Sequence, residues 1–467
     1  MRNNFLKTLI ILFVGVLIWF FPTPSGLKPE AWHLFAIFVA TILGLVWQPI
    51  PMGAFAFIGI TFTMLVRVLQ PAQALSGFST STIWLIVSAF IFCRGIIKTG
   101  LGRRIAFLLM KTLGTSTLKL AYAMAITDLV VSPATPSNTA RGGGVVFPIV
   151  RSLASAFDSE PGPTARRMGA FLMTNSFQAS TITSAMFMTS CAPNPLLVVL
   201  AATTLGTTIT WGLWAVTAIV PGLVSLLVMP LILYKLYPPE ITRTPEARQM
   251  AEKELAKMGP MSWAERIVAG TFLGAIALWS TSSLTKMDAT VVAMLAVSVI
   301  LASKVLNWKD VLEERGGWDT LIWLGGLFGL ADYMDRMGFG KWFAHAVSGM
   351  MGGFAWIPTL AIVLVVYCYS HYFFAGLSTH IVALYTVLSL VAIGAGAPRY
   401  LVVLSMTFIS GLVAGLTHYS TGVAPIFFGA GYVDQHTWWK LGFIMSVVNL
   451  VIWVGIGGVW WKVLGLW

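Results

Sequence analysis

The sequence predicts an all-α polytopic membrane protein of about 11 transmembrane helices plus two re-entrant hairpins, and three observations carry that prediction. Hydrophobic residues make up 57% of the 467 and charged residues only 10%, far below the roughly one quarter of a soluble domain. Apolar runs at residues 8–21, 32–47, 84–97, 211–233, 291–306, 360–369 and 441–461 approach or exceed the ~20 helical residues that cross a hydrocarbon core. They are continuous rather than alternating, which excludes a transmembrane barrel. Polar breaks interrupt other apolar stretches, and these breaks recur at paired positions in the two halves of the chain.

Arg2 and Lys7 precede the first apolar run as in a signal peptide, but Trp19, Phe20 and Phe21 stand where small cleavage-site residues belong. Residues 1–30 are therefore read as a retained span. Lys and Arg number 29 against 17 Asp and Glu. The basic residues lie mostly between apolar runs, where they orient helices in a bilayer and form no nucleic-acid stripe. Cys93, Cys191 and Cys368 are odd in number and widely spaced, and are read as small core residues.

The polar stretch 236–266 divides the chain into halves, 31–235 and 267–467. Within it Thr244 and Pro245 form an N-cap and first-turn pair, Gly259 a stop, and Ser262 with Glu265 a capping box. Thr82-Ile-Trp-Leu through Gly100-Leu-Gly102 recurs at the same spacing as Thr320-Leu-Ile-Trp through Gly338-Phe-Gly340. Arg103, Arg104 and Lys111 follow the first copy. Lys304, Lys309 and Arg315 precede the second, with Arg336 and Lys341 near its end. Positive loops stay cytoplasmic, so the copies are expected to be inverted, an arrangement that suits transport through a midplane site.

Between residues 118 and 150 the apolar pattern breaks at Ser132-Pro-Ala-Thr-Pro-Ser-Asn-Thr139, followed by Arg141 and three glycines. Two prolines remove backbone donors and the glycines loosen the chain, which predicts a hairpin that enters and leaves on one side. Its tip offers Ser137, Asn138 and Thr139, with helix N-terminal N–H groups, to an anion. Residues 360–393 break similarly at Phe374-Ala-Gly-Leu-Ser378-Thr379-His380. Each half adds a further break: Thr189-Ser-Cys-Ala-Pro193-Asn194-Pro195 and Thr417-His-Tyr-Ser-Thr421-Gly-Val-Ala-Pro425.

The Ser137-Asn138-Thr139 triplet, its degenerate partner Ser378-Thr379-His380 and the Ala-Pro-Asn-Pro break are similar to the divalent anion/sodium symporter family, over essentially the whole chain. Leu416-Thr-His-Tyr-Ser-Thr-Gly with Phe427-Phe-Gly-Ala-Gly-Tyr432 resembles its branch of plastid 2-oxoglutarate/malate translocators and bacterial dicarboxylate or tartrate exchangers. The resemblance implies a homodimer whose protomers have a scaffold domain and an elevator-type transport domain. It implies substrate contacts from Ser137, Asn138, Thr139, Ser378, Thr379 and His380, to which the breaks add Asn194 and Thr421. Sodium-coupled relatives carry the triplet on both tips. Here Thr379 and His380 replace its last two residues at the second tip, so Arg141 and His380 are expected to supply fixed positive charge in place of sodium. Asp128 and His371, on the hairpin arms, are expected to be structural partners.

The expected function is sodium-independent antiport of 2-oxoglutarate, malate, succinate or a similar dicarboxylate, the alternative being a sodium-coupled symporter. No cofactor, metal or nucleic acid is expected. An enzyme is excluded by the lack of His-Glu-x-x-His or Gly-x-Ser-x-Gly motifs, and paired breaks suit an occludable site better than a channel. Because the chain begins directly with a basic segment and a span, a bacterial cytoplasmic membrane is the expected location.

Overall fold

Inside a bilayer every backbone polar group needs a partner within the protein, so the fold is set by where helices stop and what takes up their ends. The computed structural model describes residues 2–340, 342, 346, 355–374 and 376–467, and Lys341 and Ala375 of the motifs above fall outside these. Among the described residues the elements are helical, and the one extended pairing is a bridge between Ser116 and Arg243.

The first half comprises α1 (Arg2–Phe20), α2 (Pro29–Trp47), α3 (Met52–Leu65), α4 (Ser81–Thr99) and α5 (Leu101–Leu113). It continues with α6 (Thr117–Val131), α7 (Phe147–Ala156), α8 (Gly169–Met186), α9 (Asn194–Leu205) and α10 (Trp211–Leu236). After the linker helix α11 (Pro245–Met258) come α12 (Trp263–Ser280), α13 (Ala289–Ala302), α14 (Arg315–Arg336), α15 (Trp356–Ser370) and α16 (Thr386–Gly394). The chain finishes with α17 (Arg399–Leu412), α18 (Ala424–Gly429), α19 (Gln435–Leu450) and α20 (Gly457–Val463). The expected retained span is α1, fastened to α2 by the stacking of Trp19 on His33 at 4.0 Å and by Trp32 Nε1 donating to the Ile18 carbonyl at 2.9 Å.

The two halves repeat one order of elements. Helices α4 and α14 both end on a left-handed glycine, Gly100 at φ 77° and Gly338 at φ 89°. Each hairpin runs from an α-helix through a 3-10 turn and a break into a π-helix and a final α-helix: α6, Ser132–Ala134, Thr139–Val146 and α7 in the first; α15, His371–Phe373, Ile381–Tyr385 and α16 in the second. The broken helices match as well. Helix α8 leads through Met188–Ser190 to α9, and α17 through Val413–Gly415 to α18.

Neighbours along these elements fix their direction. At the base of the first hairpin, Thr117 N donates to Thr242 O at 3.1 Å, while Glu240 N donates to Arg166 O at 3.0 Å. Both ends of the hairpin therefore meet the same linker segment on one face. Helix α8 starts there and α9 ends at Gly206, whose added Cβ would lie 3.1 Å from the Arg399 guanidinium at the base of the second hairpin. Helix α17 then returns antiparallel to α8, since Gly411 abuts Ala185 and Gly415 abuts Gln178. Its continuation reaches Tyr432, whose hydroxyl donates to Ser159 O at 3.1 Å, back at the first face. The hairpins thus enter from opposite faces.

A glycine seam holds α14 against the turn Ser76–Ser79. A Cβ on Gly77 would stand 2.0 Å from the Gly325 carbonyl, and one on Gly329 2.8 Å from that of Ala74. Backbone meets backbone there, and only glycine fits. In the linker the Ser262 and Glu265 capping box forms with bonds of 3.2 and 2.8 Å, and Gly259 closes α11 at φ 64°. Thr244 precedes α11 without capping it: its hydroxyl donates instead to Gly114 O at 3.1 Å, tying the linker to the end of α5. Arg104 of α5 completes the tie through a buried ion pair with Glu265 at 2.6 Å.

The polarity predicts that cysteines replacing exposed Lys119, beside the first hairpin's base, and Arg399, beside the second's, react with an impermeant maleimide from opposite faces. Labelling of both from one face would contradict the derived direction.

Candidate functional site

Each interrupted segment leaves carbonyls and N–H groups without helical partners, and their substitutes converge on one region. At the first tip the Ser137 hydroxyl accepts from Ala140 N at 3.1 Å, starting the π-helix. Asn138 is buried, and its Nδ2 donates to Thr421 Oγ1 in the second half's break at 2.9 Å. Thr139 lies against Gly422, where an added Cβ would meet its Oγ1 at 2.6 Å. The glycines that follow serve the same seam: a Cβ on Gly142 would stand 2.7 Å from Val423 Cγ2, and one on Gly143 2.6 Å from Ile426 Cδ1.

The second tip reaches that break from the other side. Nε2 of buried His371 lies 3.1 Å from Ser420 O, and the Tyr419 hydroxyl donates to Tyr372 O at 2.7 Å. Residues 419–422 are therefore bound by both hairpins. Ser378 is half-buried and Thr379 buried, with its hydroxyl donating to Gly376 O at 2.8 Å. The structure thus gathers Ser137, Asn138, Thr139 and Thr421 in one seam, with Ser378 and Thr379 on the hairpin that seals its far side. Sequence reasoning missed Tyr419, Tyr372 and Ser420, although the polar and aromatic run Thr417-His-Tyr-Ser within an apolar stretch was the signal.

Three expected site residues bond to groups around the seam rather than within it. Asn194 spends its amide on the end of α8, donating to Ser184 O at 2.8 Å and Phe187 O at 2.9 Å, and so splices the broken helix. His380 turns its ring into the arm of its own hairpin. Its ring stacks on Tyr367 at 4.3 Å, and its Nε2 lies 3.0 Å from Tyr367 O, which can only accept. The nearby Ser370 hydroxyl already donates to that same carbonyl, so Nε2 carries the proton, and Nδ1 has no partner among the described residues.

Arg141 is a cation, but not an open one. Wholly buried, its Nε donates to Asp128 Oδ2 at 3.0 Å. Nη1 donates to Thr135 O at 3.0 Å and Ser190 O at 2.8 Å, and Nη2 to Ser184 Oγ at 2.8 Å, Ser180 O at 3.3 Å and Thr183 Oγ1 at 3.3 Å. Thr183 also donates to Asp128 Oδ2. A planar guanidinium with five donors suits this junction of tip, break and helix, where an ammonium would leave carbonyls unmet. On the opposite side of the turn, Thr189 Oγ1 donates to Pro133 O at 2.5 Å, pinning the tip to its own half's break.

Residues 2–467 match the family model for the sodium:sulfate symporter transmembrane region. The chain belongs to the divalent anion/sodium symporter family. It is a transporter, not an enzyme. Similar relatives include the putative malate transporter YflS of Bacillus subtilis, 50% identical over 98% of this chain and 96% of that protein. Chloroplastic dicarboxylate transporter 1 of Spinacia oleracea is 45% identical over 98% of this chain and 81% of that protein. The crystal structure of the Alcanivorax borkumensis YdaH transporter matches with a TM-score of 0.54 and 12% identity, covering 99% of this chain and 98% of that one. The fold is thus shared with a solved transporter.

Replacing Gly422 with Ala forces Thr139 off its position, and overpacking of about 1–3 kcal/mol is expected to lower transport about tenfold while the protein still inserts. Initial rates of uptake per inserted molecule provide the check.

Proposed function

We propose that the protein is a sodium-independent dicarboxylate antiporter of the bacterial inner membrane, exchanging malate, 2-oxoglutarate, succinate or a similar anion. The dicarboxylate class is supported by the relatives named for malate and dicarboxylates and by the chemistry of the seam, whose hydroxyl, amide and backbone donors suit carboxylates. One carboxylate is taken by Ser137, Asn138 and Thr139 with Thr421, the other by Ser378 and Thr379. The bacterial setting is supported by the Bacillus relative and by the inner membrane protein YbhI of Escherichia coli, 36% identical over 100% of this chain.

The observation that carries sodium independence is the Arg141 guanidinium within hydrogen-bond reach of the Thr135, Ser180 and Ser190 carbonyls. Converging carbonyl oxygens are the ligands a small hard cation would use, and here they meet a cation that cannot dissociate. At the second tip the His380 and His371 Nε2 atoms lie against the Tyr367 and Ser420 carbonyls, so these oxygens also meet a group fixed to the chain. A cation bonded covalently to the carrier delivers no gradient energy, so the gradient that drives uptake is that of the counter-anion. The carrier is a homodimer in which the hairpins and broken helices move as one body past α2, α4 and α14.

Two measurements test this. Alanine at Asn138 or Thr379 removes hydrogen bonds to charged groups worth roughly 1.5–3 kcal/mol each and is expected to weaken dicarboxylate binding about tenfold or more; unchanged affinity in both variants removes the site assignment. In proteoliposomes, labelled malate uptake is expected only into vesicles preloaded with dicarboxylate, with or without a sodium gradient. Sodium-driven uptake into empty vesicles would establish a symporter instead.

A further inference from the structure

Arg141 raises a problem that the transport reading alone leaves open, because a body that crosses the bilayer carries its buried charges with it. An unpaired arginine in a membrane segment is costly, and a cation beside the site would also hold a dianion too firmly to release it. The partners of the guanidinium decide how this is met. Asp128, Thr135, Ser180, Thr183, Ser184 and Ser190 all belong to the first hairpin, α8 or the break after it. None lies on α2, α4 or α14. Asp128 is 1% exposed and Arg141 wholly buried, and Asp128 Oδ2 receives both Arg141 and Thr183, while its Oδ1 has no partner among the described residues. The hydrogen bonds of the carboxylate therefore run to the guanidinium and to Thr183.

We propose that Asp128 is a resident counter-ion that travels with Arg141, cancelling its charge in every position of the moving body and fixing its orientation toward the tip carbonyls. Asp128 is a positioning residue and does not touch substrate. The pair lets the carrier keep a permanent cation at the tip without presenting net positive charge to the hydrocarbon or to the bound dianion. The proposal rests on the exchange reading above.

The two effects of losing the carboxylate have opposite signs. In Asp128→Asn the freed guanidinium attracts a dianion more strongly and resists crossing, so KM for malate is expected to fall several-fold. Maximal exchange in preloaded proteoliposomes falls about tenfold or more, as the insertion cost of an unpaired arginine implies. A merely structural defect would weaken binding and turnover together.

The decisive variant moves the charge. Thr183 Oγ1 lies 3.3 Å from Arg141 Nη2 and bonds Asp128 Oδ2, so Asp128→Asn combined with Thr183→Asp returns a carboxylate to the guanidinium from the neighbouring position. Recovery of maximal exchange, or of membrane insertion should Asp128→Asn alone fail to insert, is the expected result. Failure of the double variant to recover either, or full exchange by Asp128→Asn alone, overturns the proposal while wild-type exchange still upholds the transport reading. Absence of exchange in the wild type would strike that reading first.

Discussion

A carbonyl that loses its helical donor inside a bilayer has no water to turn to, and this requirement organises the protein. Among the described residues four helices are broken, and side chains take up carbonyls that the breaks leave open. Asn194 closes the end of α8, Thr189 takes Pro133 O, His371 lies on Ser420 O and Arg141 gathers three carbonyls at once. Unsatisfied groups in hydrocarbon cost several kcal/mol each, so these donors are a condition for the breaks to exist at all. The polar seam at Asn138 and Thr421 is available to a ligand because other residues have already met the backbone's needs around it.

Close approach is the second condition. The first tip meets the other half's break through Gly142, Gly143 and Gly422, each with an added Cβ within 2.7 Å of a neighbour. Small residues let membrane helices touch at backbone distance, where dispersion and polar contacts replace the missing hydrophobic drive. The same rule operates at Gly77 and Gly325, far from the seam, where it sets α14 against its neighbours. One device thus serves both the packing of α14 and the seam.

Much of this was legible in the sequence because prolines, glycines and clustered hydroxyls stand out against an apolar background. Both hairpins, the paired breaks, the repeated glycine turn after α4 and α14 and the Ser262 capping box follow from local chemistry. The destinations of side chains were not legible. Asn138 bonds a residue 283 positions away, and nothing local distinguishes its amide from that of Asn194, which is spent within its own broken helix. Arg141 and His380 stood out as ionisable groups in apolar segments, yet their surroundings, Asp128 for one and the Tyr367 carbonyl for the other, depend on helix packing that spacing does not encode. Thr244 has the residue type of a cap but lies beside a carbonyl on another helix, and the tertiary bond prevails over the local one.

The contacts of the first tip also order events during biosynthesis. Among the described residues every partner of Arg141 lies before residue 191, so this buried charge can be settled by the first half alone while the ribosome is still making the linker. Asn138, by contrast, must wait for Thr421, and Ser159 for Tyr432. An early chain segment is thus able to rest in the membrane with its charge balanced and its seam unfilled. Completion waits on one particular turn: a nascent chain stopped short of residues 419–422 would hold a first half with an unsealed polar face, the kind of surface by which membrane quality control recognises an unfinished protein.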